Sequence, residues 1–161
     1  MKDKRVLIAA AVLVGALFWF FIKPNYLSSA PPKPPTDKEI AEAPRPTVTL
    51  EERVLNLKAP ATAPNYVKAV IALEFEDPKH KWLGLKGDGL VAKNEAFSAE
   101  LKPEMHRVWD TITSVFSAKT VDQVSSTEGK EQLKTQLLEA INKELPHEKV
   151  ENIYFVTFIT Q

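Results

Sequence analysis

The sequence has no cysteine, only five glycines and no excess of either charge, since 21 basic residues balance 21 acidic ones over 161 positions. Without cysteine the chain cannot form disulfides, thiol nucleophiles or thiolate metal sites. A net charge of zero argues against nucleic acid as the main partner, because neutralising phosphates needs a basic excess. We therefore expect no nucleic-acid-binding role, and cysteine usage does not indicate the compartment.

The sequence also lacks a complete phosphate-binding loop, although Gly129-Lys130 follows a Ser/Thr pair. Glu131 stands where such a loop needs Ser or Thr, and no second glycine lies upstream at the right spacing. Ser126 or Thr127 instead has the position of a helix cap, which accepts hydrogen bonds from the free N–H groups of a first turn. This stretch therefore predicts a capped helix start.

The residue types used in catalysis and metal binding do not converge in the sequence. His80, His106 and His147 lie far apart and show no HxxxH or HExxH spacing. The sequence has no GxSxG elbow and no recognisable pair of general acid and base. The stretch Gly84–Gly89 has the composition of an anion cradle or of a turn, and turns are the commoner use of such a cluster. We expect no enzyme activity, cofactor or metal.

The longest apolar run in the sequence, Val6 to Ile22, contains no charged residue. As a helix this run would span roughly 25 Å, close to the hydrocarbon core of a bilayer at about 30 Å. Trp19 lies near its outer end, where aromatic residues anchor helices at the interface. Basic residues are concentrated in positions 1–5, so the positive-inside rule places the N-terminus in the cytoplasm. We predict a cytoplasmic tail over 1–5 and a transmembrane helix over 6–23.

A cleaved signal peptide is the alternative interpretation of this run. Ser28-Ser29-Ala30 offers the small residues of a cleavage site, which would make Pro31 the first residue of the mature chain. The apolar run is longer than the about 7–15 residues typical of a signal peptide. The rigid Pro31-Pro32 would also fit a protease poorly. Both features favour a retained anchor.

Residues 24–46 are rich in proline and poor in large apolar residues. Such a segment cannot bury enough surface to fold, and its prolines favour an extended conformation. We predict a periplasmic linker over 24–46, with a short helix in the stretch TDKEIAEA. A folded periplasmic domain is predicted over 47–161.

The pattern of this domain predicts an α+β fold, a small antiparallel sheet with two main helices packed on it. Strands are predicted at Thr47–Lys58, at Tyr66–Glu76 and in the closing segment KVENIYFVTFITQ. Apolar residues on both faces of the closing strand indicate that it is covered on both sides or paired centrally. One apolar helix stripe runs from Phe97 to Phe116, with Pro103 marking a kink or a restart. A second helix ends before Pro146.

The segment Asp77–Gly89 has turn chemistry but contains the large apolar residues Trp82, Leu83 and Leu85. A loop folded back onto the core would account for them, and so would an exposed interaction patch. On the second interpretation these three residues belong to an oligomer or partner interface.

Several stretches of the domain share residues with one known family. The C-terminal sequence contains ITSVFSAKT, STEGKEQLKTQLLEAINKELP and VENIYFVTFITQ, and YVKAVIALEFE lies upstream. These stretches resemble the FliL family of flagellar basal-body-associated proteins. The order of cytoplasmic segment, single membrane span, polar linker and a domain that ends in a strand is also similar to this family.

Two features depart from the family pattern. The chain inserts KHKWLGLKGDG between the second strand and the first helix. Trp109 stands where the family often has Arg, directly before the matching Asp110. We therefore add Trp109 and Asp110 to the candidate oligomer or partner interface.

The resemblance implies a non-enzymatic accessory protein of the flagellar motor, active in motility and chemotaxis. It implies a stomatin/SPFH-like domain that assembles as a homo-oligomeric ring in the bacterial inner membrane, with the basal body and stator proteins as partners. The alternative hypothesis is a membrane-anchored periplasmic ligand-sensing or binding module with a pocket near Gly84–Gly89. A membrane-anchored hydrolase is the weakest hypothesis, because no catalytic set can be assembled.

Overall fold

The structure, a computed structural model, describes residues 33–60 and 63–161. A division at Asp37 separates a short first unit from the compact unit Lys38–Gln161, to which the description below applies. The transmembrane helix predicted over 6–23, with Val6, Trp19 and Ile22, lies outside the described residues. Within the described residues, no helix combines the length and apolarity that a membrane crossing requires.

The described chain forms an α+β fold with one antiparallel sheet, which confirms the predicted fold class. A 3₁₀ turn at Lys102–Glu104 interrupts the helical region. The elements in chain order are α1 (Asp37–Ala41), β1 (Thr47–Thr49), β2 (Arg53–Leu57), β3 (Asn65–Phe75), α2 (Gly87–Leu101), α3 (Met105–Ser117), α4 (Val121–Ser125), α5 (Thr127–Glu144) and β4 (Val150–Thr160).

Strand β3 lies at the centre of the sheet. Strand β4 pairs with it from Phe75 to Val67, so β4 occupies one edge of β3. Strands β1 and β2 share the opposite edge, where β1 pairs with residues 72–74 and β2 with residues 65–69. The sheet therefore has β4 on one flank and the β1–β2 pair on the other.

The prediction of one unbroken strand over Thr47–Lys58 was wrong. Between the pairs Thr49–Ala72 and Arg53–Ala69, the β1–β2 chain advances four residues while β3 advances three. The extra residue forms a bulge at positions 50–52, which ends one ladder and starts the next in a shifted register. Alternating apolarity does not reveal such an insertion, because the apolar side chains return to the core after it.

The core lies between one face of the sheet and helices α3 and α5. Alternate residues of β3 point to this side, as their period of two requires, and each is at most 1% exposed. These residues are Val67, Ala69, Ile71, Leu73 and Phe75. The two predicted helix stripes supply the other side of the core, through Val108, Ile112, Phe116, Leu133, Leu137 and Ile141.

The stripe around Pro103 is split into two helices. Helix α2 ends at Leu101, the 3₁₀ turn carries Pro103 in its first positions, and α3 starts at Met105. This confirms the restart that Pro103 predicts, since proline lacks an N–H but fits the first turn of a helix. Helix α2 begins at Gly87, so the segment with turn chemistry ends at Lys86, three residues before the predicted end at Gly89.

Helix α5 begins with the predicted serine cap. Ser126 Oγ accepts a hydrogen bond from Gly129 N at 2.9 Å. The short helix α4 precedes it, and Thr120 and Gln123 form a capping box at the start of α4. A Cβ atom on Gly129 would lie 2.0 Å from the carbonyl oxygen of Gln123, so the α4–α5 corner requires glycine here. The Gly-Lys pair thus serves a tight helix corner.

The position of β4 differs from the prediction. Within the described residues β4 pairs with β3 alone, so it is an edge strand that is neither central nor covered on both sides. Its apolar residues Tyr154, Val156 and Ile159 are exposed. The apolar face that carries these three residues is therefore left uncovered by the described chain.

Candidate partner interface

The Trp82 segment is folded back onto the domain. Trp82 is 5% exposed, and its ring packs edge-on against Phe97 of α2 with 5.5 Å between ring centroids. Its backbone N–H donates to the Asp77 carboxylate at 2.8 Å. The burial of Trp82 confirms the interpretation of a loop folded back onto the core and contradicts an exposed Trp82. Leu83 and Leu85 are partly exposed.

Asn94 holds this segment in place, although no sequence motif marked it as a candidate. Its side-chain oxygen accepts from Trp82 Nε1 at 2.9 Å and from the backbone N of Thr47 at 3.2 Å. One amide therefore joins the inserted segment, helix α2 and the first residue of β1. The signal in the sequence that could have identified Asn94 is its spacing from Phe97, because residues three apart lie on the same face of a helix.

A groove of about 300 Å³ lies beside Trp82, between the inserted segment and the end of β3. Its lining mixes acids and bases, including the ion pair between Lys149 and Glu76. The hydrogen bond to Glu76, and then the charge of Glu76, raise the pKa of Lys149 above its ordinary value. No glycine of the stretch Gly84–Gly89 lines this groove, so it does not correspond to the glycine pocket of the ligand-binding hypothesis.

Trp109 and Asp110 lie on α3, beside the bulge between β1 and β2. Trp109 is 8% exposed, and the Arg53 guanidinium carbon lies 4.0 Å from its ring centroid. This stacking brings a cation from β2 to the position of Trp109, where the resemblance led us to expect Arg. Asp110 is exposed, and both residues line an open groove of about 700 Å³ along the β1–β2 flank.

The structure does not bring all predicted interface residues together. Trp82 lines the groove at the inserted segment, while Trp109 and Asp110 line the groove at the β1–β2 flank. The sequence-based interface therefore divides into two surfaces. Sequence reasoning missed a third surface, the edge strand β4, whose apolar residues Tyr154, Val156 and Ile159 are exposed.

The titratable residues of the described chain form no reactive constellation. Within residues 33–60 and 63–161, no cluster of three or more His, Asp or Glu residues could hold a metal ion. His106 Nδ1 lies 2.8 Å from the carbonyl oxygen of Pro103, which uses it in a local turn contact. What the fold presents is a set of grooves and an open strand edge, which are features of binding surfaces.

Comparison with known proteins identifies relatives of this chain. The family model described as "Flagellar basal body-associated protein FliL" matches residues 47–161. A "Flagellar protein FliL" of Aquifex aeolicus (strain VF5) is 30% identical over 110 residues, covering 65% of this chain and 68% of the relative. A "Flagellar protein FliL" of Bacillus subtilis (strain 168) is 29% identical over 124 residues, covering 77% and 74%. The chain therefore belongs to the FliL family of flagellar basal-body-associated proteins.

Proposed function

We propose that this protein is a non-enzymatic accessory of the flagellar motor that assembles beside the stator units and supports them during rotation. The observation that carries the proposal is the family match over the whole of residues 47–161. A surface made of grooves and an open strand, without a reactive cluster in the described residues, supports a binding role.

The anchor of this function is the apolar run from Val6 to Ile22, with Trp19 at the outer interface. Its length and the basic residues before it support a single span of the inner membrane with a cytoplasmic N-terminus. The linker 24–46 contains helix α1, so its reach would be less than the roughly 70 Å of a fully extended polyproline segment. On this proposal the domain 47–161 lies in the periplasm, within reach of the parts of the motor above the membrane.

Assembly of several copies as a ring around a stator is the second part of the proposal. Tethering confines the domains to one membrane surface, where a high effective concentration makes weak lateral contacts sufficient. A stomatin/SPFH-like arrangement would give each domain two neighbours in such a ring. The candidate contact residues remain the exposed Asp110 and the partly exposed Leu83 and Leu85, whereas Trp82 and Trp109 are buried.

The proposal is tested by deleting the gene in its flagellated host and measuring swimming speed and motor torque. We expect a loss of torque with flagella still assembled, restored by the full chain but not by a chain that lacks residues 6–22. Stator proteins should be recovered with the full chain from detergent-extracted membranes. Normal torque in the deletion strain would contradict the proposal.

A further inference from the structure

The linker junction, Arg45-Pro46-Thr47, joins the linker to β1 and is docked on the end of the sheet. Pro46 is buried, and its carbonyl oxygen accepts a hydrogen bond from the Phe75 backbone N–H at 2.8 Å. The Thr47 hydroxyl donates to the carbonyl oxygen of Arg45 at 3.0 Å, which closes a local turn. The chain therefore enters β1 from a segment that is already fixed to β3.

On one side, the inserted segment holds the linker junction through Asn94. The Thr47 backbone N–H donates to Asn94 Oδ1 at 3.2 Å, and Trp82 Nε1 donates to the same oxygen at 2.9 Å. Because both partners are donors, the amide must present its oxygen here, and the bond from Trp82 keeps that oxygen turned toward Thr47. Trp82 is itself held by the Asp77 carboxylate and by the ring of Phe97. A continuous set of contacts thus joins the inserted segment to the first residue of β1.

On the other side, strand β4 holds the linker junction through an ion pair. Arg45 Nη1 lies 3.0 Å from Glu151 Oε2, and the two side chains are 31% and 38% exposed. Arg45 precedes β1 on one flank of β3 and Glu151 lies in β4 on the other flank, so the pair spans the central strand. The residues on either side of Glu151 pair with Glu74 and Phe75, which leaves Glu151 as the extra residue of a bulge. A bulge redirects a side chain, and here that side chain meets the linker.

We propose that the inserted segment and the β4 bulge together brace the linker junction, and that Arg45 and Asn94 are positioning residues that fix the direction in which the linker leaves the domain. The inference rests on the proposed function, in which an anchored domain meets the stator units. A single exposed ion pair contributes little to stability. Here the ion pair acts together with two backbone hydrogen bonds and a buried proline, so three consecutive residues are held by β3, β4 and α2.

A braced junction changes what the tether contributes to binding. A freely jointed tether raises the effective concentration of a domain near its partner but leaves the orientation of the domain unrestricted. Residues 38–46 belong to the same compact unit as the sheet, so the direction of the linker determines which surface of the domain faces the motor. Because this orientation is set before the partner is met, less rotational freedom is lost on binding.

Distances between two spin labels test the brace in the full chain, because the chain has no cysteine of its own. Ala41→Cys on α1 and Glu139→Cys on α5 place the labels at exposed positions. We expect a narrow distance distribution when the otherwise unchanged full chain is measured in lipid nanodiscs. Arg45→Glu and Asn94→Ala should each broaden the distribution, since each removes one side of the brace and lets the end of the linker rotate.

Conservative variants at the same two positions are the matched controls. Arg45→Lys keeps a cation beside Glu151, and Asn94→Asp keeps an acceptor for both N–H donors, so both variants should retain the narrow distribution. Circular dichroism should show the same fold for all four variants. A distribution in Arg45→Glu and Asn94→Ala as narrow as in the parent chain would overturn the brace. Equal broadening in the conservative variants would overturn it as well.

Motor torque separates the positioning role from the function on which it rests. Each variant replaces the parent chain in the flagellated host, at equal amounts in the membrane by immunoblot. We expect reduced torque with Arg45→Glu and Asn94→Ala, and normal torque with Arg45→Lys and Asn94→Asp. Normal torque in the variants with broadened distributions would overturn the positioning role, while the proposed function stands. Normal torque in a strain without the protein would instead contradict the proposed function itself.

Discussion

At the residue scale, Asn94 decides where the inserted segment lies. Replacing Asn94 by Ala removes the acceptor of both Trp82 Nε1 and the Thr47 backbone N–H. Leaving part-buried donors unpaired costs about 1–3 kcal/mol. We expect the free energy of unfolding of the 38–161 unit, measured by urea titration, to fall by that amount. Trp82 should become more accessible to acrylamide quenching.

The exposed Glu95→Ala change on the same helix is the control for Asn94→Ala. It should leave both the unfolding midpoint and the tryptophan quenching unchanged. Equal quenching in Asn94→Ala and the parent protein would show that Asn94 does not hold the segment.

Two surface groups predict how stability depends on alkaline pH. Lys149 has a pKa raised above 10.5 by its hydrogen bond to Glu76 and by the charge of Glu76. Tyr154 has a pKa raised above 10.0, first by burial and then by the Glu74 carboxylate. The folded state therefore holds both protons more tightly, so their contribution is present below pH 10.0 and lost as pH rises through the folded values.

The expected result is a free energy of unfolding that depends little on these two groups at neutral pH and falls above pH 10.0. Urea unfolding across this range measures it. Tyr154→Phe and Lys149→Gln should each make the fall shallower, since each removes one titrating group. A slope in the double variant as steep as in the parent protein would contradict the assignment.

At the scale of elements, the corner between α4 and α5 depends on Gly129. Helix propensity alone favours Ala over Gly by about 1 kcal/mol. At Gly129, however, the new Cβ would lie 2.0 Å from a backbone oxygen of Gln123, which cannot move aside without shifting α4. Overpacking of this kind costs about 1–3 kcal/mol or more, so we expect Gly129→Ala to be destabilising.

Gly89 provides the matched control, because it is also helical and a Cβ there would meet nothing within 4 Å. Gly89→Ala should be neutral or stabilising by up to about 1 kcal/mol. Comparison of the two urea midpoints separates the steric effect at the α4–α5 corner from the effect of helix propensity. Two variants that shift stability in the same direction would refute the steric argument.

At the scale of the whole molecule, the proposed anchor would determine where the domain acts. We expect the full chain to stay with membranes after alkaline carbonate washing, and a chain without residues 6–22 to be released. V91C should react with a membrane-impermeant maleimide added from the periplasmic side, as the positive-inside rule requires. Release of the intact full chain by carbonate would remove the basis for the membrane-anchored function.

Local sequence patterns were sufficient for much of the fold. The period of two in Tyr66–Glu76 located β3 to within one residue at each end. Pro103 marked the division between α2 and α3, and Ser126 marked the start of α5. Each of these signals acts within a few residues of chain, through a side-chain period, a missing N–H or a cap.

The features that the sequence did not predict involve residues distant in the chain. The break between β1 and β2 depends on how that segment pairs with β3, and the burial of Trp82 depends on Asn94 and Phe97. The apolar closing strand gave the clearest case. Apolar residues on both faces of β4 indicated that both faces are covered. The structure shows that β4 pairs with β3 and packs against helix α5, which leaves its other face uncovered within the described residues.

The amino-acid sequence alone therefore determined the fold class, the family and most helix and strand positions, because these follow from local periodicity and shared residues. Tertiary structure decided which surfaces remain open for a partner. It buried Trp82 and Trp109 and left the β4 edge exposed, because burial depends on which distant segments pack together.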